Sequence, residues 1–368
     1  MSASNPHRAL GDDGRAESGR VESGRAEAKG GALSPAGSTP AACVFGPSLF
    51  ATVTIESAAG DGEELTAVHF HPGGQAFWIA RMVNHLGERC SLVSPVGGEA
   101  GVVLMALTPT WDVDLAAVPT AAESAAYLHD RRDGSRREIA TSLGGTLSRH
   151  EIDDLYGRVL EVSTATKMCV VTGSPTGRAL GHDFYRRLGS DLAELEVVTI
   201  GDLHGAELDA LLDGGRLDVL KVSHEDLIDD GRLAEDHELT DRVEIGHELC
   251  GRGVDIVVVS DPAGALLVAR DGDVWYAEPP VLDAVDHRGA GDAMTAAFCV
   301  ATLRHQAVVD MLRFACAAGA ATVARHGLAN AERDVIEALV GNVQVRHLDA
   351  ADSKGDTGAS TAGRERDA

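Results

Sequence analysis

No stretch of the chain approaches the roughly 20 consecutive apolar residues that a membrane-crossing helix needs. Positive charge is also scarce: 32 lysines and arginines face 57 aspartates and glutamates, a formal net charge of −25. So acidic a chain lacks the cations that neutralise phosphates in sequence-independent nucleic-acid binding, or that hold a protein on anionic lipid. No nucleic-acid or membrane partner is therefore expected. The six cysteines, at 43, 90, 169, 250, 299 and 316, form no CxxC pair and no Cys/His zinc spacing. Several lie in apolar runs such as Met168-Cys169-Val170-Val171, where a thiol behaves as a small hydrophobe. The N-terminus mixes acidic with basic residues and has no apolar h-region, so it does not read as a secretory signal. Reduced core cysteines in a cytoplasmic protein are the expectation. Also missing are GxxxxGK[ST], a GxGxxG after a strand, and HExxH, which takes away the main support for P-loop kinases, simple Rossmann dehydrogenases and HExxH metalloenzymes.

What is present is an ordinary globular mixture, 44% hydrophobic and 24% charged over 368 residues. That length fits about two domains or one large α/β domain. The first 40 or so residues nearly repeat Gly14-Arg15-Ala16-Glu17-Ser18 at 19–23 and 24–28 and have little to bury. Such a segment cannot offset its ordering entropy, so residues 1–40 read as a disordered tail, and the polar residues 349–368 as a second one. Between them, over 41–348, short runs apolar on both faces alternate with amphipathic segments. Strands are expected at Ala42–Phe45, Cys90–Val93, Cys169–Thr172, Val197–Ile200, Val219–Val222 and Ile256–Ser260, and helices at Ala76–Leu86, Asp183–Leu195 and Asp241–Arg252. This spacing implies a doubly wound, mostly parallel α/β sheet with helices on both faces. Residues 50–70 depart from it with period-two alternation, and 111–141 also look unlike a βα unit; together they are expected to form a small antiparallel sheet over one edge.

The segment Asp286-His287-Arg288-Gly289-Ala290-Gly291-Asp292 follows a strand-like run and opens a long apolar helix, Ala293–Leu303. Small residues at a helix start leave backbone N–H groups uncovered where the helix dipole is positive, an arrangement suited to the oxygens of a transferring phosphoryl group. A carboxylate beside them could take the proton of an attacking hydroxyl. Equally, Asp292 could do no more than favour a first helical turn, and the glycines no more than shape a tight turn. Trp78, in the helical segment after Gly74, could stack on a ring or pack in the core.

These residues do not stand alone. Asp286–Asp292 resembles the DTxGAGD signature of the PfkB (ribokinase-like) carbohydrate kinase family, with His287 and Arg288 in its variable middle. His71-Pro72-Gly73-Gly74, followed by Ala80-Arg81 and Leu86-Gly87, resembles the family's N-terminal Gly-Gly signature. Thr172-Gly173-Ser174-Pro175-Thr176-Gly177 resembles its Gly-Ser-Leu-Pro-Pro-Gly turn, and Lys221-Val222-Ser223-His224-Glu225-Asp226-Leu227 its Lys-Pro-Asn-x-x-Glu-Leu segment. Ser260–Val268 resembles the nucleotide-side hairpin and Cys316–Val323 the late small-residue helix. The segments occur in family order, and their spacing is most similar to the branch of 1-phosphofructokinases and tagatose-6-phosphate kinases.

The resemblance implies a ribokinase-like fold and an ATP- and Mg2+-dependent phosphotransferase acting on a hydroxyl of a sugar, sugar phosphate or related small alcohol. Asp292 would be the general base, and Gly289, Ala290 and Gly291 the anion hole. Gly73, Gly74, Trp78 and Arg81 would lie on the substrate side, and Lys221, Ser223, Ser260 and Gly264 on the nucleotide side. Asp226 would sit near the magnesium-phosphate network. Segments 50–70 and 111–141 would form a β-lid, through which relatives often dimerise. The departures fall mainly on the substrate side. Gln75-Ala76-Phe77-Trp78 stands where the branch has Lys-Gly-x-Asn, and Phe50 where it has a sugar-holding aspartate. Ser223 and Asp226 replace an asparagine and a glutamate, and Pro262 stiffens the turn after Ser260. Two alternatives follow: a non-catalytic metabolite or nucleotide sensor, and a nucleoside kinase that stacks a base on Trp78 or Phe77.

Overall fold

A computed structural model of the chain describes residues 40–58, 65–174, 180–280, 282, 288–324 and 331–348. The expected tails up to residue 39 and from 349, Pro175–Gly177 of the glycine turn, and Asp286 and His287 of the signature lie outside the described residues.

The elements in chain order are β1 (Ala42–Phe45), β2 (Phe50–Ala58), β3 (Leu65–Gly73), α1 (Gln75–His85), β4 (Cys90–Gly97) and α2 (Gly98–Leu107). A 3-10 turn at Thr108–Trp111 leads to β5 (Asp114–Thr120), β6 (Ala125–Asp130), β7 (Arg137–Ser142), α3 (Arg149–Thr166), β8 (Met168–Thr172) and α4 (His182–Glu194). Then come β9 (Val198–Asp202), α5 (Gly205–Gly214), β10 (Leu217–Ser223), α6 (His224–Asp229), α7 (Leu239–Gly251) and β11 (Val254–Asp261). The chain closes with β12 (Gly264–Ala269), β13 (Val274–Glu278), α8 (Ala290–Leu303), α9 (Val308–Val323), α10 (Arg333–Val340) and β14 (Gln344–His347).

Ten strands form one sheet in the order β14-β13-β12-β11-β10-β9-β8-β1-β4-β5. From β11 to β5 every pairing is parallel, and β12, β13 and β14 extend the edge antiparallel. Alternation along each strand splits its side chains between two cores: Ala42 and Val44 pack with α1, α8 and α9, while Cys43 and Phe45 pack with α3 and α4. Both faces are covered, which is why these runs are apolar throughout. The strand order reverses at β1, which lies between β4 and β8, and in such sheets ligands bind beyond the carboxyl ends of the strands at the switch point. Thr172 Oγ1 donates to the Phe45 carbonyl at 3.0 Å, tying the carboxyl ends of β8 and β1 together there.

The second sheet has the order β3-β2-β6-β7. It contains the first expected lid segment and part of the second, but it is mixed and not the antiparallel sheet expected: β2 pairs antiparallel with β3 and parallel with β6. The stretch 114–120 corrects the expectation: β5 pairs parallel with β4 as the edge of the main sheet. Its partly buried apolar residues, Leu115 and Ala117, pack against the main core, a burial that the small sheet could not supply. In the small sheet, directly paired residues share a face. Phe50, Thr52, Thr54, His71, Tyr127 and His129 fall on one side, and Val53, Ile55, Val68, Phe70 and Leu128 on the other. No helix among the described residues is long and apolar enough to cross a membrane.

Candidate active site

Helix α8 begins at Gly289, whose φ of 78° lies in the left-handed region that glycine enters without strain. Its first backbone bond runs from the Ala293 N–H to the Gly289 carbonyl at 2.9 Å, so the preceding amides have no intrahelical acceptor. Asp292 lies in this first turn. A Cβ added at Gly291 would stand 2.5 Å from Lys221 Nζ, so glycine here leaves room for a buried ammonium directly against the turn.

Lys221 comes from β10, and Asp202 ends β9; both are buried, at 6% and 3% exposure. Lys221 Nζ is 3.5 Å from Asp202 Oδ1, and Thr295 Oγ1, one turn into α8, donates to Asp202 Oδ2 at 2.5 Å. The carboxyl edge of the sheet is thereby stitched to the start of α8. Burial, reinforced by the charge of Asp202 and partly offset by Lys221, pushes Asp292 up to about 7. Burial opposes the Lys221 charge, yet Asp202, Asp292 and Asp226 together hold its ammonium above the ordinary lysine value. A carboxyl poised near neutrality beside helix amides that lack an intrahelical acceptor suits general-base work.

At the start of α6, Ser223 and Asp226, expected on the nucleotide side, close on each other. The Ser223 amide and hydroxyl donate to Asp226 Oδ2 at 3.0 and 2.6 Å, and the Asp226 amide donates back to Ser223 Oγ at 3.0 Å, a capping box that starts α6. The other oxygen, Oδ1, faces His204 Nε2 at 3.8 Å, and His204 Nδ1 pairs with Asp230 at 2.9 Å. Ser260 pairs across β10/β11 with Ser223, and its carbonyl accepts from His224 Nδ1 at 3.3 Å. Gly264 opens β12, where a Cβ would meet the Ala277 carbonyl at 2.4 Å, so close strand packing alone demands glycine there.

Gly73 ends β3 and Gly74 caps the start of α1. Gly74 has φ 105°, and a Cβ on it would lie 3.2 Å from the Ser48 carbonyl and 3.6 Å from the Phe50 ring. Trp78 takes the packing alternative: at 6% exposure it lies among Phe77, Trp111 and His71, with ring centroids 5.0–6.0 Å away. The Arg81 guanidinium stacks 4.4 Å over Trp111 and 5.8 Å from Trp78, and burial lowers it to about 10. The substrate-side role expected of Trp78 is thus replaced by core packing, because three large rings converge on that face of α1.

Sequence reasoning missed Asp202 and Thr295. It also missed a network on the inner face of the small sheet, where the Thr54 hydroxyl lies 3.1 Å from His71 Nε2 and 3.0 Å from His129 Nε2. His71 Nδ1 donates to the Pro72 carbonyl at 3.0 Å, so neutral His71 accepts from Thr54, and Thr54 accepts from His129 Nε2–H. That leaves the His129 Nδ1 lone pair buried without a donor among the described residues. Burial and the charges of Arg136, Arg131 and Arg288 push His129 down to about 4, so it stays neutral. Usable signals existed: Asp202 closes an apolar strand run at its carboxyl end, and Thr54, His71 and His129 fall at alternating positions of strand-like segments. Among the described residues no group of three or more His, Cys, Asp or Glu side chains is arranged to hold a metal by itself.

The chain matches the model of the pfkB family carbohydrate kinases over residues 42–334. It is 32% identical over 282 residues to the ATP-dependent 6-phosphofructokinase isozyme 2 of Mycobacterium tuberculosis (strain ATCC 25618 / H37Rv), covering 74% of this chain and 79% of that one. A shorter match to the 1-phosphofructokinase of Escherichia coli (strain K12), 33% identical over 110 residues, covers 30% of this chain and 35% of the other. The fold superposes with TM-score 0.71 on the crystal structure of E. coli phosphofructokinase-2 in complex with fructose-6-phosphate, at 24% identity, covering 83% of this chain and 99% of that one. With the signature segments in order, the doubly wound sheet beneath them and a family match over most of the length, the chain belongs to the PfkB family of carbohydrate kinases.

Proposed function

We propose that this kinase transfers the γ-phosphoryl group of ATP to a hydroxyl of a sugar, sugar phosphate or related small alcohol, with Asp292 as general base and the amides of Gly289, Ala290 and Gly291 as anion hole. The observation that carries this reading is the carboxyl of Asp292, raised to about 7, in the first turn of α8 beside amides without intrahelical acceptors. In the step, the acceptor hydroxyl gives its proton to Asp292 and its oxygen bonds to the γ-phosphorus. The bond from that phosphorus to the β,γ-bridging oxygen breaks, and ADP leaves. Lys221, against Gly291, adds fixed positive charge behind the turn. Magnesium fits here as an ion brought in on the nucleotide, since Mg2+ on phosphates needs only one or two protein carboxylates and Asp226 and Asp202 lie on that edge. It would neutralise charge on the β- and γ-phosphates.

The 6-phosphofructokinase and 1-phosphofructokinase names of the relatives support a carbohydrate acceptor. The nucleoside-kinase alternative drew on base stacking by Phe77 or Trp78, and both rings are buried. A homodimer through the small sheet is part of the same reading, supported by the exposure of Val68 (52%), Phe70 (55%) and Ile139 (48%) on that sheet. The test is ATP consumption over a panel of sugars, sugar phosphates and nucleosides, for wild type and Asp292→Asn. Turnover on a carbohydrate member, lowered at least about 100-fold by the substitution, is expected. Unchanged turnover removes the base role, and ATP binding without turnover on any member supports the sensor instead.

A further inference from the structure

At the starts of α5 and α6, two side chains each have one atom pinned and one left over. His204 is the N-cap of α5, on the loop that leaves β9. Its Nδ1 lies 2.9 Å from Asp230 Oδ1, and an ionised carboxylate only accepts, so this nitrogen carries a hydrogen. Asp230 is fixed in turn: its Oδ2 accepts from the Gly205 N–H at 2.7 Å, and Gly205 takes a φ of 62° beside it. With Nδ1 committed, Nε2 is the nitrogen that remains. A carboxylate orienting the far nitrogen of the ring is the support that metal-binding histidines ordinarily have.

Asp226 repeats the arrangement. The Ser223 amide and hydroxyl hold its Oδ2 at 3.0 and 2.6 Å, which leaves Oδ1. Asp226 Oδ1 and His204 Nε2 face each other across 3.8 Å, and among the described residues no hydrogen bond reaches either atom. The two side chains are 34% and 47% exposed, so solutes can reach them. Asp202, the other carboxylate on this edge, has both oxygens engaged, by Lys221 and Thr295. The pair lies near the start of α8, because the charge of Asp226 acts on the same Lys221 that feels Asp292.

One carboxylate oxygen and one imidazole nitrogen, each held from behind, make half of a coordination shell that phosphate oxygens and water can complete. Magnesium uses such a set poorly, since it takes oxygen ligands and keeps its waters. Imidazole nitrogen favours divalent ions of the first transition row instead. Resting on the nucleotide-side reading above, we propose that His204 Nε2 joins Asp226 Oδ1 in holding the divalent ion that arrives on the nucleotide, and that this nitrogen makes Mn2+ or Co2+ a better partner than Mg2+. Any proton on Nε2 passes to solvent as the ion binds.

The experiment uses the full-length protein and ADP, with Mg2+, Mn2+ or Co2+ in excess so that the nucleotide is metal-loaded in each titration. Calorimetry is expected to show the Mn2+ and Co2+ complexes of ADP binding about tenfold tighter than the Mg2+ complex. His204→Asn keeps a donor for Asp230 but has no Nε2. It should erase that advantage while moving the Mg2+ complex less than about threefold. Pulsed electron paramagnetic resonance of the Mn2+ complex is the second readout and needs no variant. A modulation from an imidazole nitrogen is expected, and isotopic labelling of histidine nitrogen should shift it, which separates it from the nitrogens of adenine. Thermal unfolding checks that the variants fold. A Mn2+ complex without a histidine modulation, or an ion preference that survives His204→Asn, overturns the proposal. If Asp226→Asn also leaves metal-dependent ADP binding unchanged, the placement of the nucleotide's ion fails with it. If Asp226→Asn weakens that binding while His204→Asn does not change the ion preference, this proposal fails alone. Should the histidine signal appear while Asp292→Asn leaves turnover unchanged, the base role falls and the ion site stands.

Discussion

At the scale of single residues, the base role proposed for Asp292 predicts a pH response. Its carboxyl must be ionised to accept a proton, and burial beside Asp202 has raised it to about 7. The kcat/KM of the wild type should therefore rise about tenfold per pH unit below 7 and level off above it, and Asp292→Asn should abolish that limb together with most of the activity. Stability should move the other way. An unfolded aspartate ionises near 4, so the folded state binds the extra proton between about 4 and 7, and the stability conferred below that window is lost as pH rises through it. The melting temperature of Asp292→Asn should match wild type at pH 4 and exceed it at pH 8, by the equivalent of about 4 kcal/mol. A wild type whose stability does not change over that window would show that the carboxyl is not strained by its surroundings. Asp292 and its glycines were legible because small residues before a helix have a chemical meaning in one dimension. Trp78 was not: whether a ring on an amphipathic helix packs or lines a site depends on Trp111 and His71, which the chain brings to it from other elements.

At the scale of elements, the start of α8 is held by residues that share no local pattern. Asp202 ends β9, Lys221 is on β10 and Thr295 is one turn into α8; the parallel pairing of the strands puts the first two side by side. The strands and helices themselves were readable, since two-sided burial writes continuous apolar runs into β1 and β8. β5 was not, because an edge strand with one half-exposed face looks the same whichever sheet it joins. The buried pair gives a prediction at this scale. Lys221→Met should cost about 3–5 kcal/mol in urea unfolding, because among the described residues it leaves the buried Asp202 carboxylate with Thr295 alone as a hydrogen-bond donor. Adding Asp202→Asn should recover a good part of that loss, as expected when the penalty is an uncompensated charge rather than lost packing. A double variant no more stable than the single one would mean that the lysine stem, not its charge, holds the site together.

At the scale of the whole molecule, the small sheet has two unlike faces, and on the inner one His71 packs against Trp78 of α1 and Trp111 of the 3-10 turn. The outer face carries Val53, Ile55, Val68, Phe70 and Leu128 in register across the strands, with Val68 and Phe70 more than half exposed at 52% and 55%. Nearby, α2 contacts β2 and β3 and leaves Val102 at 71% and Met105 at 49% exposure. A contiguous apolar patch of this kind is rare on a monomer and common at an interface. Its period-two pattern is equally legible in the sequence, but which of the two faces would be covered was not, because covering depends on where α1 and the 3-10 turn lie. If the patch is a self-complementary dimer contact, one substitution acts on it from both sides at once. Val68→Glu together with Phe70→Glu should therefore convert the dimer to monomer in sedimentation velocity at micromolar concentration. Folding should be spared, since neither side chain belongs to a buried core. The lids would then lose their mutual support, so the KM for the acceptor should rise more than the KM for ATP. A wild type that sediments as a monomer at every concentration would leave the patch without this partner, and a variant still dimeric would place the contact elsewhere on the molecule.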